Sequence, residues 1–248
     1  MDLLPILITF IAGLAMGAIN NVAGGAGVLG LLSFEYACGM PLSIANPTTR
    51  VSAVAIGLFS FLGYLRSGHS PSARAWFIAL AAIPGAWLGT ELALELPDLV
   101  FRSYLSLIML ALLWQMLHKP AKAAHNPKHS WLAPFSCFLI GLHLGYAQVG
   151  TGLLAILLFT TTYSRDLLTI NAAKSTAVIL ASVTSLLGFS TEHVIEWEPG
   201  LWLAAGTAIG SFYASRWAVA KGSEAIRKVV IGIAVLTLAV QVWHIVMG

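Results

Sequence analysis

Apolar residues run along this chain in long blocks separated by Gly, Pro or charged breaks. Ten blocks stand out, at 3–19, 22–38, 44–66, 74–94, 100–117, 131–147, 150–163, 168–190, 199–218 and 227–247. A helix needs roughly 20 apolar residues to cross the hydrocarbon layer, and most of these blocks come close to or exceed that. The pattern predicts an all-α polytopic membrane protein. The second and seventh blocks are shorter, about 15 residues or ~22 Å at the α-helical rise, against a layer of ~30 Å. They are expected to be short or re-entrant passages.

The second five blocks repeat the first five. At a shift of 125 residues Asn46 falls on Asn171, Ser60 on Ser185, Leu62-Gly63 on Leu187-Gly188, Gly85 on Gly210 and Arg102 on Arg227. At 128, Gly13, Gly17 and Gly24 fall on Gly141, Gly145 and Gly152. Shared order with weak letter identity is how internal repeats of transporters show themselves. The expected division is an N-terminal repeat over 1–118, a basic cytoplasmic linker over 119–130 and a C-terminal repeat over 131–248.

Charge placement gives the halves a direction. With five passages per half, one face collects Arg66, Arg74, Lys119, Lys122, Lys128, Arg165, Arg216, Lys221, Arg227 and Lys228. The other face has only Arg102, beside Glu91, Glu95, Asp98, Glu192, Glu196 and Glu198. Cytoplasmic loops concentrate Lys and Arg. An odd number of passages inverts the second half, and both termini fall on the periplasmic side. A hairpin entering and leaving by one face keeps the same parity.

Composition narrows the class further. Hydrophobic residues make up 58% of the 248 and charged residues 9%, where a soluble domain carries about 25% charged. A net charge of +3 is too small to argue for nucleic acid. Leu3 to Ile19 has no basic leader and no evident cleavage site, so it reads as a retained helix. Cys38 and Cys137 lie in apolar surroundings with no metal-type spacing, and read as packing residues. No metal and no cofactor are expected. Trp76, Trp131, Trp197, Trp202 and Trp243 lie near block ends, as interfacial anchors do.

Two kinds of segment carry candidate chemistry. The first block ends in Asn20-Asn21-Val22-Ala23-Gly24-Gly25, and the matching place in the second half reads Gln148-Val149-Gly150-Thr151-Gly152. Glycines allow a tight break, and the next helix then offers unpaired N–H groups and a positive dipole end to an anion. Broken segments at corresponding places in two halves point to a transport site. The competing reading is close helix packing through small residues. Each half also sets one cation among amides and hydroxyls: Asn46, Thr48, Thr49 and Arg50 in the first, Asn171, Lys174 and Ser175 in the second. A cation inside a membrane helix costs at least ~2.5 kcal/mol, so it faces a cavity or a partner, or else it snorkels to the interface. No carboxylate lies within a helical turn of either along the sequence. A visiting anion would complement them, Arg gripping two oxygens and Lys acting as a point charge. His143 and Glu35 are candidates for a proton relay, with helix packing as the alternative.

These residues carry a resemblance. The run Ala18-Ile19-Asn20-Asn21-Val22-Ala23-Gly24-Gly25-Ala26-Gly27-Val28-Leu29, followed by Gly39-Met40-Pro41, resembles the first Gly-rich signature of the TauE/SafE family. Thr48-Thr49-Arg50 is similar to the threonine, asparagine, lysine triplet common there, and the second Gly-rich run with Ala173-Lys174 matches in position. The resemblance spans nearly the whole chain. It implies a bacterial inner-membrane permease for sulfite, organosulfonates or related small organic anions, more often exporting than importing. Asn20 and Gln148 stand where many relatives carry an acidic residue, which removes carboxylates that a proton-coupled relative would use.

The function expected is therefore a carrier with a midplane anion site between inverted repeats, working by alternating access. Its partners are a small anion and the lipid bilayer; association into a homo-oligomer is left open. A passive anion channel would use the same residues. An intramembrane enzyme is the more distant alternative, since the chain contains neither HExxH nor GxSxG.

Overall fold

The computed structural model describes residues 2–22, 26–117 and 130–221. Helices, with short π and 3-10 turns, build the described residues, in the order α1 (Leu3–Val22), α2 (Gly27–Leu32), α3 (Leu42–Arg66), α4 (Ala73–Ala79), α5 (Ala82–Glu95), α6 (Asp98–Leu117), α7 (Ala133–Tyr146), α8 (Thr151–Thr162) and α9 (Leu167–Thr191). A further helix, α10, runs over 197–221. The tenth apolar block at 227–247, most of the linker, and Gly24 and Gly25 lie outside the described residues.

Four stretches among the described residues are long and apolar enough to cross a membrane: Leu3–Asn20, Leu42–Arg66, Ala73–Glu95 and Leu167–Thr191. The third is α4 and α5 joined by a tightened turn at Leu80 and Ala81. Pro84 is the cause: it has no N–H to offer the Leu80 carbonyl, which instead accepts from Ile83 at 3.1 Å. The outer surface is apolar, with Leu3 80%, Leu99 76%, Phe77 73% and Leu187 61% exposed. Water would not tolerate such a continuous surface on a monomer, whereas lipid requires it.

The second block is shorter than its apolar letters suggest. α1 continues to Val22, and the following helix begins only at Gly27, passes into a π turn at Ser33–Ala37 and stops at Gly39, whose φ is +65°. α8 has 12 residues, about 18 Å of helix. Both are too short to span.

α3 and α9 form the centre. Each has 25 residues and their starts lie 125 apart, the same shift that aligns the sequence halves. They run antiparallel: Arg50 near the start of α3 meets Ser185 and Phe189 near the end of α9, and Gly57 packs on Ile179 midway. Asp166 caps α9, accepting from Thr169 N at 2.8 Å, and Ser72 caps α4, accepting from Ala75 N at 3.2 Å.

Two pairs of small-residue stripes close the bundle around that centre. On α1, a side chain at Gly13 or Gly17 would run into the Leu203 or Thr207 carbonyl of α10, and at Gly206 or Gly210 it would run into Phe10 or Leu14 of α1. The same arrangement holds between α5 and α7, where Gly85 and Gly89 face Phe138 and Leu142, and Gly141 and Gly145 face Ala82 and Ala86. All four stripes have the i, i+4 glycine spacing that lets membrane helices touch backbone to backbone. The opening helix of each half thus packs against the α4–α5 or α10 passage of the other half.

Candidate functional site

The end of α1, the second break and the middles of α3 and α9 line one cavity inside the helix bundle. Its wall is built from Asn20 at the end of α1, Ala53 to Ser60 on α3, Leu144 and Gln148 at the end of α7, Thr151 and Gly152 at the start of α8, and Lys174, Ser175 and Val178 on α9. The cavity measures about 20 Å³, room for about one water molecule. Among the described residues that space is smaller than a sulfite or sulfonate anion.

Of the residues singled out from the sequence, Asn20, Gln148, Thr151, Gly152, Lys174 and Ser175 line this wall. Asn46, Thr48, Thr49, Arg50, Gly150 and Asn171 do not line it, although all of those but Gly150 are buried side chains of α3 and α9. Asn21 belongs to α1, but its side chain lies outside the described residues.

Both cations are inside the protein. Arg50 is 0% and Lys174 5% exposed, so neither snorkels to the interface. That alternative fails because each sits on the inner face of a helix whose neighbours cover it.

Arg50 is engaged on all sides. Nε donates to Ser185 Oγ (3.2 Å), Nη1 to the Asn46 carbonyl (3.3 Å) and Thr49 Oγ1 (2.9 Å), and Nη2 to Asn46 Oδ1 (3.2 Å) and the Gly145 carbonyl (3.2 Å). That accounts for the five N–H donors of a guanidinium. Its carbon lies 5.4 Å from the centre of the Phe189 ring, within cation–π range. Asn46 Nδ2 adds a bond to the Tyr146 carbonyl at 3.0 Å. Arg50 therefore clamps α3 to α9 and to the last turn of α7, and thereby fixes where the second break begins.

Lys174 does the corresponding work at the first break and also faces the cavity. Its Nζ donates to the Asn20 carbonyl at 3.2 Å. Each half's cation thus grips a carbonyl in the last turn of the other half's opening helix.

The second break is held from a third side. His143 Nε2 lies 2.9 Å from the Val149 carbonyl and Nδ1 lies 2.6 Å from Tyr104 Oη on α6. A carbonyl can only accept, so Nε2 carries a proton. Gly150 follows with φ +85° and starts α8, a backbone state that penalises any Cβ. Glu35 is elsewhere: it pairs with Arg102 at 3.0 Å, on the π turn after α2.

Ser60 and Ser185, seen in the sequence only as a repeat match, and Ser52 were not expected at the site. Ser60 lines the cavity, Ser52 Oγ accepts from Gln148 Nε2 at 3.5 Å, and Ser185 Oγ accepts from Arg50 and lies 2.8 Å from Thr90 Oγ1. For Ser60 and Ser185 the available signal was a hydroxyl in the middle of an apolar helix, repeated at the same place in both halves; Ser52 falls on Ala177 and had no such signal.

Among the described residues no group of three or more His, Cys, Asp or Glu could hold a metal ion.

A family model described as "Sulfite exporter TauE/SafE" matches residues 9–241. The chain is 27% identical over 237 residues to a Sinorhizobium protein named "Probable membrane transporter protein ORF9", covering 94% of this chain and 90% of that one. It is 26% identical over 250 residues to a "Probable membrane transporter protein" of Haemophilus influenzae, covering 98% and 95% respectively. No solved structure matches.

Proposed function

The chain belongs to the TauE/SafE family and is a multi-pass membrane transporter; on that premise we propose that it exports small sulfur-containing anions, such as sulfite or organosulfonates, across a bacterial inner membrane. The transported anion binds between two inverted repeats, at the cavity walled by the middles of α3 and α9.

The observation that carries this reading is the convergence of Lys174, Asn20, Gln148 and Thr151 on one buried cavity. A buried ammonium supplies the charge, and the start of α8 adds N–H groups and a positive dipole end. Arg50 sets the electrostatic background from behind the wall and holds the second break in place.

The inverted arrangement is supported by the antiparallel course of α3 and α9 and by the reciprocal glycine contacts, α1 with α10 and α5 with α7. Alternating access follows as a rocking of these pairs about the central helices. A cavity of about 20 Å³ favours a carrier, whose site widens to admit an anion, over an open pore.

Flux into proteoliposomes tests the proposal. Saturable, trans-stimulated uptake of sulfite or a simple sulfonate is expected, and Lys174→Gln should abolish it. Uptake of none of a panel of sulfite, sulfonates, sulfate and carboxylates would overturn it; flux without saturation or trans-stimulation would turn it towards a channel.

A further inference from the structure

Four side-chain oxygens around the cavity face it as acceptors. The Thr151 hydroxyl donates to the Gln148 carbonyl at 2.9 Å, and the Ser175 hydroxyl donates to the Ala172 carbonyl at 2.6 Å. A hydroxyl has one proton, so both oxygens can offer the cavity only lone pairs.

The amide of Gln148 can be oriented by the same logic. Ser52 donates its proton to the Thr49 carbonyl at 2.6 Å. Its oxygen, 3.5 Å from the amide, can then only accept, so Gln148 must present Nε2 to it. That leaves Gln148 Oε1 buried with no hydrogen-bond partner, and Asn20 Oδ1 is in the same state. Both residues line the cavity and are at least nine-tenths buried, at 3% and 8% exposure. Buried polar atoms in native proteins are paired, and an unpaired one calls for an explanation.

An anion whose every oxygen only accepts, such as a fully deprotonated sulfite or sulfate, would bring lone pairs against Asn20 Oδ1, Gln148 Oε1, Thr151 Oγ1 and Ser175 Oγ. Lys174 and the first N–H groups of α8 would welcome it, but these four oxygens would not. An anion that carries an O–H or N–H of its own could place its negative oxygens toward Lys174 and its donor toward the amide oxygens.

We infer that the site selects monoanions bearing a hydrogen-bond donor, such as hydrogensulfite or a hydroxylated or aminated sulfonate, over anions that can only accept, with Asn20 and Gln148 as the specificity-determining pair. This rests on the cavity being the anion site. The two acceptors sit at matching breaks of the two halves, so a ligand can reach one or both as the halves part and close.

Ethanesulfonate and 2-hydroxyethanesulfonate make the test, because they carry the same charge and differ by one hydroxyl. Their affinities for the detergent-purified full chain are measured by titration calorimetry, alongside sulfite titrated on either side of its second ionisation. The hydroxylated anion should bind roughly 10-fold or more tightly, since sites that hydrogen-bond a substrate group reject analogues lacking it. Gln148→Met should weaken the hydroxylated ligand alone and close most of that gap, and Asn20→Ala provides a second variant if Gln148→Met melts early. Equal affinities in the unaltered protein, or a gap unchanged in both folded variants, would overturn the inference while leaving the anion site intact. Binding of no anion at all would overturn the site itself.

Discussion

Lys174 on α9 donates from Nζ to the Asn20 carbonyl oxygen of α1 across 3.2 Å, at the wall of the central cavity. The bond joins a charge to the last turn of a helix, where carbonyls lack intrahelical partners and the dipole is negative. It therefore holds the first break in position and keeps a positive charge beside the cavity. These two duties can be separated by mutation. Lys174→Gln can still donate to Asn20 but carries no charge. Its melting temperature in detergent should fall by a few degrees at most, while anion-dependent stabilisation disappears. A variant that still gains stability from sulfite or sulfonates would remove Lys174 from the site.

Arg50 should behave differently, because its donors are spent on the protein itself. Arg50→Ala removes a donor from the Gly145 carbonyl, from both oxygens of Asn46 and from Ser185 in a buried place. A loss of about 1–3 kcal/mol for each buried acceptor left unsatisfied is expected, since the neutral partners leave no uncompensated charge behind. Arg50→Lys should not rescue it, since an ammonium has three donors where the site uses a planar fork of five. Thermal melts of the three proteins decide the matter: a stable Arg50→Ala would mean that the clamp is dispensable.

The glycine stripes give a prediction that compares the halves. Gly13→Val and Gly141→Val each push a side chain into a facing backbone carbonyl, at Leu203 and Ala82 respectively. Overpacking a close contact costs about 1–3 kcal/mol or more, and here backbone rather than side chain would have to yield. Both variants should express poorly and melt early to a similar degree. Gly150→Ala should cost about 1–2 kcal/mol for a different reason, its positive φ. A melting curve for Gly150→Ala that overlays the unaltered protein would show that the second break is not set by that residue.

How much of this was legible beforehand depended on the kind of signal. The long central helices were, because an apolar block of that length has to bury or face lipid throughout; α3 and α9 fall within two residues of the blocks at 44–66 and 168–190. The site was legible in part. Lys174, Asn20 and Gln148 stand out as polar letters in apolar helices beside glycine breaks, and they meet at the cavity. Arg50 stood out for the same reason, yet its partners Ser185 and Gly145 are 135 and 95 residues away. No local pattern announces a contact of that range. The role of the glycines was similarly hidden: the letters say that two backbones can approach, and only the fold says which two.

The last prediction concerns direction. Ser70 follows the end of α3 and Glu192 follows the end of α9, and both are exposed. If the halves were parallel copies, these two matching ends would lie on the same side of the membrane. The antiparallel course of α3 and α9 places them on opposite sides: Glu196 N, in the segment after α9, donates to Thr48 Oγ1 near the start of α3 at 3.1 Å. The charges agree. Arg66 and Arg216 share the Phe212 ring, and Arg74 lies over Tyr163 and donates to the Ser130 carbonyl, gathering cations at the Ser70 end. Cytoplasmic surfaces collect such residues, so Ser70 should face the cytoplasm and Glu192 the periplasm. With Cys38 and Cys137 replaced by Ala, a membrane-impermeant maleimide applied to intact cells should label Glu192→Cys and leave Ser70→Cys untouched until the membrane is opened. Labelling of both from one side would rule out the inverted repeat and, with it, the alternating-access mechanism built on that symmetry.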